Sequence, residues 1–93
     1  MKKALIGAGG HAREVMMQMG DTFPCFVDDK YVNETTLPIS SFNPDEYQVL
    51  VAIGDSTNRR NVVDSLPKET KYFSFILYFD PSKNSIACEI WEA

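Results

Sequence analysis

The chain has 93 residues, of which 44% are hydrophobic and 24% are charged, and its net charge is −4. This balance predicts one small globular domain with a modest core and excludes a disordered chain. The negative charge argues against nucleic acid as a partner, because phosphates of nucleic acids are held by clustered lysine and arginine. No apolar run reaches the roughly 18 residues of a membrane span, and the one after the N-terminal lysines is too short for a signal peptide. We therefore expect a cytoplasmic protein with no membrane partner.

Short apolar runs alternate with helical patterns along the chain. The elements expected, in chain order, are a strand at 2–6, a helix at 10–19, a strand at 22–27, a turn-rich stretch at 30–47 with a short strand near Ile39 and a helical turn near Asp45, a strand at 48–53, a helix at 56–66 and a strand at 72–79. Strands that alternate with helices indicate right-handed βαβ units. The pattern therefore predicts the α/β class, with a parallel sheet of about four strands and flanking helices.

Three glycines fall within four positions where the first predicted strand gives way to the first helix. Gly7, Gly9 and Ala12 fit G-x-G-x-x-[G/A], and Gly10 adds a third glycine. In this pattern the first glycine permits the tight turn, the second lets a ligand approach the backbone, and the small third residue packs helix on strand. The free N–H groups of the helix start attract phosphate. Asp28, at the end of the second strand, is spaced to accept hydrogen bonds from a ribose. The alternative is a tight turn that binds nothing.

Two polar features near this loop have more than one interpretation. His11, the one histidine in the sequence, either donates a hydrogen bond to a phosphate or sugar, or is simply an exposed residue of the first helical turn. Asp28 and Asp29 are adjacent carboxylates, but neighbouring residues of a strand point to opposite faces. The two carboxylates are therefore not expected to converge on a metal ion.

The stretch IGDSTNRR, residues 53–60, repeats the layout at the end of the next strand. Both strand ends should open on the same edge of the sheet, where open α/β sheets bind ligands. Arg59 and Arg60 lie near the start of their helix, where cations oppose the macrodipole. Either they meet an anion, or they extend into water or pair with Asp55. Asn58 is either a ligand contact or a first-turn cap.

The motifs LIGAGGHAREV, FVDD and VAIGDSTNRRNVVDSLP, followed by an aromatic strand running to DPS, resemble the N-terminal domain of PglD/NeuD-type sugar acyltransferases over about residues 3–82. The resemblance implies a small Rossmann-like βαβ domain that binds a nucleotide-linked sugar, typically a UDP-amino sugar. In such a domain Gly9, Gly10 and His11 would face the diphosphate. Asp28 and Asp29 would face the nucleoside, and the end of the third strand would line the same cleft. The expected nucleotide-sugar contacts are Gly7, Gly9, Gly10, His11, Asp28, Asp29, Ile53, Gly54, Asp55, Asn58 and Arg59, with no catalytic residue and no metal ligand among them.

The sequence departs from the family pattern after the last predicted strand. Phe79-Asp80-Pro81-Ser82-Lys83 stands where the family usually has Ile-His-Pro-Ser-Ala. In the family a C-terminal left-handed β-helix binds acetyl-CoA, forms the trimer and supplies the catalytic histidine. We therefore expect residues 1–82 to form the nucleotide-sugar domain, without a cofactor or catalysis of its own, and residues 83–93 to form a tail or the stub of a truncated β-helix. The chain is either a piece of a longer enzyme of bacterial polysaccharide or glycan biosynthesis or a stand-alone domain.

Two other functions stay open at this point. A degenerate structural or interaction domain would keep the fold and bind no nucleotide. An NAD-binding module would use the same glycine fingerprint, since other nucleotide folds share it.

The C-terminal end carries an unusual amount of apolar surface. Seven of the eight residues at 72–79 are apolar or aromatic, and Ile86, Ile90 and Trp91 follow. Two helices are too few to cover both faces of the predicted sheet, and exposed apolar patches usually mark an interface. We expect a homodimer through the C-terminal strand and tail, because two-fold dimers are the commonest soluble oligomers.

Overall fold

The computed structural model describes the backbone of residues 1–92 and the side chains of these residues except 76, 77 and 88–92. Within this range the strands are β1 (Lys2–Ile6), β2 (Cys25–Val27), β3 (Leu37–Pro38), β4 (Tyr47–Val51), β5 (Lys71–Asp80) and β6 (Ser85–Glu92), and the α-helices are α1 (Gly10–Met19) and α2 (Ser56–Ser65). Two 3₁₀ turns, Asp29–Tyr31 and Ile39–Ser41, flank β3. The contribution predicted for Ile90 and Trp91 to an apolar surface lies outside the described side chains.

The strands form one sheet in the order β3-β2-β1-β4-β5-β6. The first five strands of this order are parallel, and β6 runs antiparallel to β5. The predicted α/β class with a Rossmann-like parallel sheet is thus confirmed. The expected count of about four strands was too low, because β3 has only two residues and β6 was predicted as a tail.

The central strand β1 is buried on both faces of the sheet. Leu5 packs on one side with Ala12 and Val15 of α1. Ala4 and Ile6 pack on the other side, in a cluster that includes Leu66 just after α2. All three strand residues are at most 2% exposed. An uninterrupted apolar strand suits this position, since a parallel strand covered on both faces has no polar side to present to water.

The order of the strands places a crevice at one edge of the sheet. β1 pairs with β2 on one side and with β4 on the other, and α1 and α2 belong to apolar clusters on opposite faces. The order of the strands therefore reverses between β1 and β4. Open α/β sheets bind ligands at such a point, beyond the carboxyl ends of the strands. Neither helix in the described part of the chain has the length and apolar character needed to cross a membrane.

The hairpin formed by β5 and β6 has a turn that its sequence explains. Asp80 Oδ1 accepts hydrogen bonds from the backbone N–H of Ser82 at 3.0 Å and from its hydroxyl at 2.7 Å. Pro81 follows Asp80, and Asn84 closes the turn at a φ of 49°. Aspartate at the first position, proline at the second and asparagine in a left-handed conformation are typical of tight turns. This chemistry favours a return strand over the tail expected for residues 83–93.

Candidate functional site

Gly7 ends β1 in a conformation that other residues rarely adopt. Its φ is 109°, and a Cβ there would lie 2.9 Å from the backbone oxygen of Ala52. Its backbone N–H donates to the Phe26 carbonyl at 2.8 Å. Gly7 therefore lets the chain turn tightly between the ends of β2 and β4, which is the task predicted for the first glycine.

The start of α1 is open to solvent and lacks a side-chain cap. Gly9 is the N-cap residue and provides no side-chain cap, and no acidic residue lies in the first turn. A Cβ at Gly9 would meet no heavy atom within 4 Å, and one at Gly10 would meet only the far end of the Arg13 side chain at 3.8 Å. The first N–H groups of a helix have no partner within the helix and carry its partial positive charge. This end of α1 is therefore suited to receive an anion.

A cavity of about 500 Å³ lies beside this helix start, at the carboxyl ends of β1, β2 and β4. We call it the glycine-loop cavity. Its size falls within the range of small-molecule sites. The residues that line it are Ile6, Gly7, Ala8, Gly9, Phe26, Val27, Asp28, Tyr31, Asn33, Thr36, Ile39, Ile53, Val62 and Ser65.

The two adjacent aspartates after β2 have separate environments. Asp28 lines the glycine-loop cavity, and its Oδ1 accepts from the Lys30 backbone N–H at 3.1 Å. Its Oδ2 has no hydrogen-bond partner among the described residues. Asp29 does not line the cavity, and its Oδ1 accepts from the Ser40 backbone N–H at 3.1 Å. Hydrogen bonding by the Ser40 side chain and backbone lowers the pKa of Asp29 below its ordinary value.

These positions leave Asp28 as the aspartate available to a ligand, and Asp29 as a link between the two 3₁₀ turns. No group of three or more histidine, cysteine, aspartate or glutamate side chains in the described residues is placed to hold a metal ion.

Of the ligand contacts predicted just after β4, one lines the cavity and the others lie outside its lining. Ile53 lines the cavity, whereas Gly54, Asp55 and Asn58 do not. Asp55 is the N-cap of α2, and its Oδ1 accepts from the Asn58 backbone N–H at 2.9 Å. The Asp55 carboxylate therefore has a structural task at the start of α2. His11 is exposed and also lies outside the cavity lining.

The predicted contact Arg59 lies in a second hollow, separate from the glycine loop. This hollow, of about 760 Å³, is lined by Val51, Ser56, Thr57, Arg59, Arg60, Val63, Asp64 and Tyr72. Burial, and next the negative charge of Asp64, raise the pKa of Tyr72. The hollow is larger than the glycine-loop cavity, but it shares no lining residue with it and has neither the glycine turn nor an uncapped helix start. We therefore place the candidate site in the glycine-loop cavity.

Sequence reasoning missed several residues that line the cavity. Tyr31, Asn33 and Thr36 belong to the loop between β2 and β3, while Val62 and Ser65 lie on α2. The turn at Asn33-Glu34-Thr35-Thr36 could have been predicted, because asparagine followed by threonines is typical of a turn stabilised by side chains. No local signal marks Val62 and Ser65, because their place depends on how α2 packs across the sheet.

Comparison with known proteins adds one finding. The family model described as PglD N-terminal domain matches residues 2–66. This range runs from β1 to the residue after α2 and contains every residue that lines the glycine-loop cavity. None of the curated proteins and none of the solved structures compared with the chain gave a match.

Proposed function

Because the chain belongs to the PglD N-terminal domain family, a family associated with sugar acyltransferases, we propose that its glycine-loop cavity binds a nucleotide-linked sugar, specifically a UDP-amino sugar. The observation that carries this proposal is the pairing of an uncapped helix start with a carboxylate in one cavity. Gly9, at the start of α1, and Asp28, after β2, both line it. One group suits phosphate and the other suits the hydroxyls of a ribose.

The diphosphate is proposed to lie against the backbone at Gly9 and Gly10, with His11 at its edge. The space above Gly9 is free of other atoms, so phosphate oxygens can approach the N–H groups directly. The absence of an acidic residue from the first turn of α1 removes a charge that would repel the phosphates. The macrodipole of α1 adds a favourable interaction with the same anion.

The nucleoside is proposed to extend from the diphosphate toward the loop that follows β2. Asp28 Oδ2 is available to accept from ribose hydroxyls, because the described residues offer it no donor. Phe26 and Ile39 supply apolar contacts in the cavity, and Tyr31 adds an aromatic ring that is 68% exposed. A few fixed polar groups on an apolar wall are the usual composition of a small-molecule site.

The residues around the cavity support binding rather than catalysis. No histidine, cysteine or lysine side chain lines it among the described residues, and its ionisable side chains there are Asp28 and Tyr31. Acyl transfer to an amine or hydroxyl needs a general base within hydrogen-bond reach of the acceptor, most often histidine. We therefore propose that residues 2–66 hold the sugar nucleotide and contribute no catalytic group. Acetyl-CoA has no proposed site in these residues.

Calorimetric titration of the purified chain with UDP, UDP-N-acetylglucosamine, NAD and acetyl-CoA tests the proposal. We expect the two uridine nucleotides to bind more tightly than NAD or acetyl-CoA. The variant Arg60→Ala, which changes the second hollow alone, is expected to bind UDP as the parent does. Tighter binding of NAD than of either uridine nucleotide would overturn the proposal in favour of an NAD-binding module.

A thermal melt distinguishes the remaining alternative, a structural domain that binds no nucleotide. A ligand at about 100 times its Kd should add about 2.7 kcal/mol to the free energy of unfolding. We expect millimolar UDP to raise the melting temperature of the chain. A folded chain whose melting temperature no nucleotide shifts at that concentration would favour the structural domain.

A further inference from the structure

Asn33 is held by its own loop in a single orientation. Its side-chain oxygen, Oδ1, accepts from the Thr35 backbone N–H at 2.9 Å, from the Thr35 hydroxyl at 2.9 Å and from the Thr36 hydroxyl at 3.3 Å. Its backbone N–H donates to the Thr36 hydroxyl oxygen at 2.9 Å. Thr36 is only 9% exposed and directly precedes β3. The turn is therefore fastened to the sheet.

These contacts determine which end of the Asn33 amide remains free. A backbone N–H can only donate, so the atom that faces the Thr35 N–H must be the carbonyl oxygen. The amide nitrogen, Nδ2, is then the unengaged end, and it has no hydrogen-bond partner among the described residues. Since Asn33 lines the glycine-loop cavity, the free end of its side chain can offer a ligand there a hydrogen-bond donor.

The position of Asn33 relates this donor to the base of a bound nucleotide. Phosphates at the start of α1 and a ribose at Asp28 would leave the base near the loop after β2, where Tyr31 and Asn33 line the cavity. Uracil carries a carbonyl oxygen at the position where cytosine carries an amino group. A fixed amide N–H can donate a hydrogen bond to this uracil oxygen. It cannot form one with the cytosine amino group, because that group is also a donor.

We infer that Asn33 is a specificity-determining residue that selects uridine over cytidine nucleotides. The inference rests on the proposed function and adds the residue that distinguishes the bases. Asn33 is exposed, so its amide N–H can keep a hydrogen bond to water when the base offers no acceptor, and only the modest net gain from one hydrogen bond separates the two bases. The discrimination therefore comes mainly from the hydrogen bond that uracil gains.

The test compares UDP and CDP binding by calorimetry in the parent and in Asn33→Asp. Aspartate keeps an acceptor for the Thr35 N–H, so the turn is retained, but it replaces the free donor with an acceptor. The added charge weakens both nucleotides through their phosphates, and the UDP-to-CDP ratio removes that shared effect. We expect the parent to prefer UDP by about threefold to tenfold, the size of one net hydrogen bond. In Asn33→Asp we expect the preference to vanish or reverse.

Asn43→Asp is the matched control. Asn43 Oδ1 accepts from the Asp45 backbone N–H at 2.9 Å in a turn of the same kind, and Asn43 does not line the cavity. Its UDP-to-CDP ratio should equal that of the parent. If Asn33→Asp fails to fold, Asn33→Ser supplies the measurement, because a serine hydroxyl can stabilise such a turn and removes the amide donor. Its ratio should fall to about one.

The outcomes separate this inference from the proposed function. A parent chain that binds neither nucleotide overturns both. A parent that binds UDP and CDP equally, or an Asn33 variant that keeps the parent's ratio, overturns the role of Asn33 and leaves the nucleotide site in place. A parent preference that is lost in the Asn33 variants and kept in Asn43→Asp supports it.

Discussion

Gly7 and Gly9 are two positions apart, but they differ in backbone conformation and in the space around them. Gly7 has a φ of 109° and lies against the Ala52 carbonyl, so the fold itself requires it. Gly9 has a φ of −83° and free space above its Cα, so any residue could adopt its backbone conformation. Glycine is a common N-cap residue, and its missing side chain at position 9 also leaves room for the proposed ligand to approach the backbone.

Gly7→Ala is expected to destabilise the protein whether or not a ligand is present. The substitution forces a strained φ on alanine and brings its Cβ to 2.9 Å from a backbone oxygen that cannot move aside freely. The expected loss is about 1–3 kcal/mol in the free energy of unfolding, measured by chemical denaturation. A variant as stable as the parent would contradict a strained turn at the end of β1.

Gly9→Val is expected to leave the fold intact and to abolish nucleotide binding. Its side chain enters open space, and the loss of glycine at the N-cap costs no more than about 1 kcal/mol. The same side chain would occupy the volume in which phosphate oxygens meet the helix N–H groups. Circular dichroism checks that the variant is folded, and UDP titration measures its nucleotide binding. A folded variant with the parent's affinity would place the phosphate site elsewhere.

Local pattern predicted three of the residues that line the glycine-loop cavity. Gly7, Gly9 and Asp28 follow from spacing relative to a strand and a helix start, and all three line the cavity. Arg59 was expected to join them, but its direction depends on the rotation of α2 over the sheet, and it lines the second hollow instead. Spacing along the chain carries no information about that rotation.

At the scale of elements, Asp55 shows how a residue with a structural task can resemble a ligand contact. Its carboxylate accepts from the Asn58 N–H and caps α2. Asp55→Ala should lower stability by about 1 kcal/mol, whereas Asp55→Ser, which keeps a capping oxygen, should stay close to the parent. Both folded variants should bind UDP with the parent's affinity. Weakened binding by a stable Asp55→Ser variant would show that Asp55 contacts the nucleotide, as the family resemblance implies.

The bounds of the elements were predictable where their ends have their own chemistry. The predicted ranges 2–6 and 10–19 agree with β1 and α1. At the end of α1, Gly20 adopts a φ of 70° and its N–H donates to the Met16 carbonyl at 2.9 Å, a common C-terminal motif. The second strand was predicted to begin at residue 22 but begins at Cys25. Thr22 and Pro24 precede it: the Thr22 N–H is engaged by Asp21, and proline has none to donate.

Two strands, β3 and β6, were not clearly predicted from the sequence. Both are defined by their pairing with a neighbouring strand rather than by their own residue pattern. β3 consists of Leu37 and Pro38, which pair with Phe26 and Val27 of β2. Two residues are too few to show the alternating pattern of a strand. β6 is longer, but its pairing with β5 depends on the turn at residues 81–84. Turn chemistry, rather than periodicity, was the signal for this hairpin.

At the scale of the whole molecule, the β5–β6 hairpin forms one edge of the sheet and carries exposed apolar side chains. Phe79 and Ile86 are directly paired across the two strands and are 56% and 66% exposed, and Tyr78 beside them is 44% exposed. A strand at the edge of a sheet also has unpaired backbone groups, which can pair with the same strand of a second copy. The predicted homodimer through this region stays a prediction.

Sedimentation velocity at about 100 μM, well above a micromolar Kd, checks the prediction of self-association. We expect a concentration-dependent dimer that the double substitution Phe79→Ser and Ile86→Thr weakens, because it removes the exposed apolar pair. The matched control is Met17→Ser, which removes a side chain that is 75% exposed on α1 and should leave the association unchanged. A strict monomer at this concentration would contradict the dimer.

We propose that a nucleotide binds at the carboxyl ends of β1, β2 and β4. A chain of this size permits its direct test, amide chemical-shift mapping by NMR during a titration with UDP. We predict the largest shifts at residues 9–12, where α1 begins, and at residues 28–36, which contain Asp28 and Asn33. Residues 56–60, at the second hollow, should shift little. Shifts that are concentrated around Arg59 and Tyr72, or no shifts in a folded chain at millimolar UDP, would contradict a nucleotide site in the glycine-loop cavity.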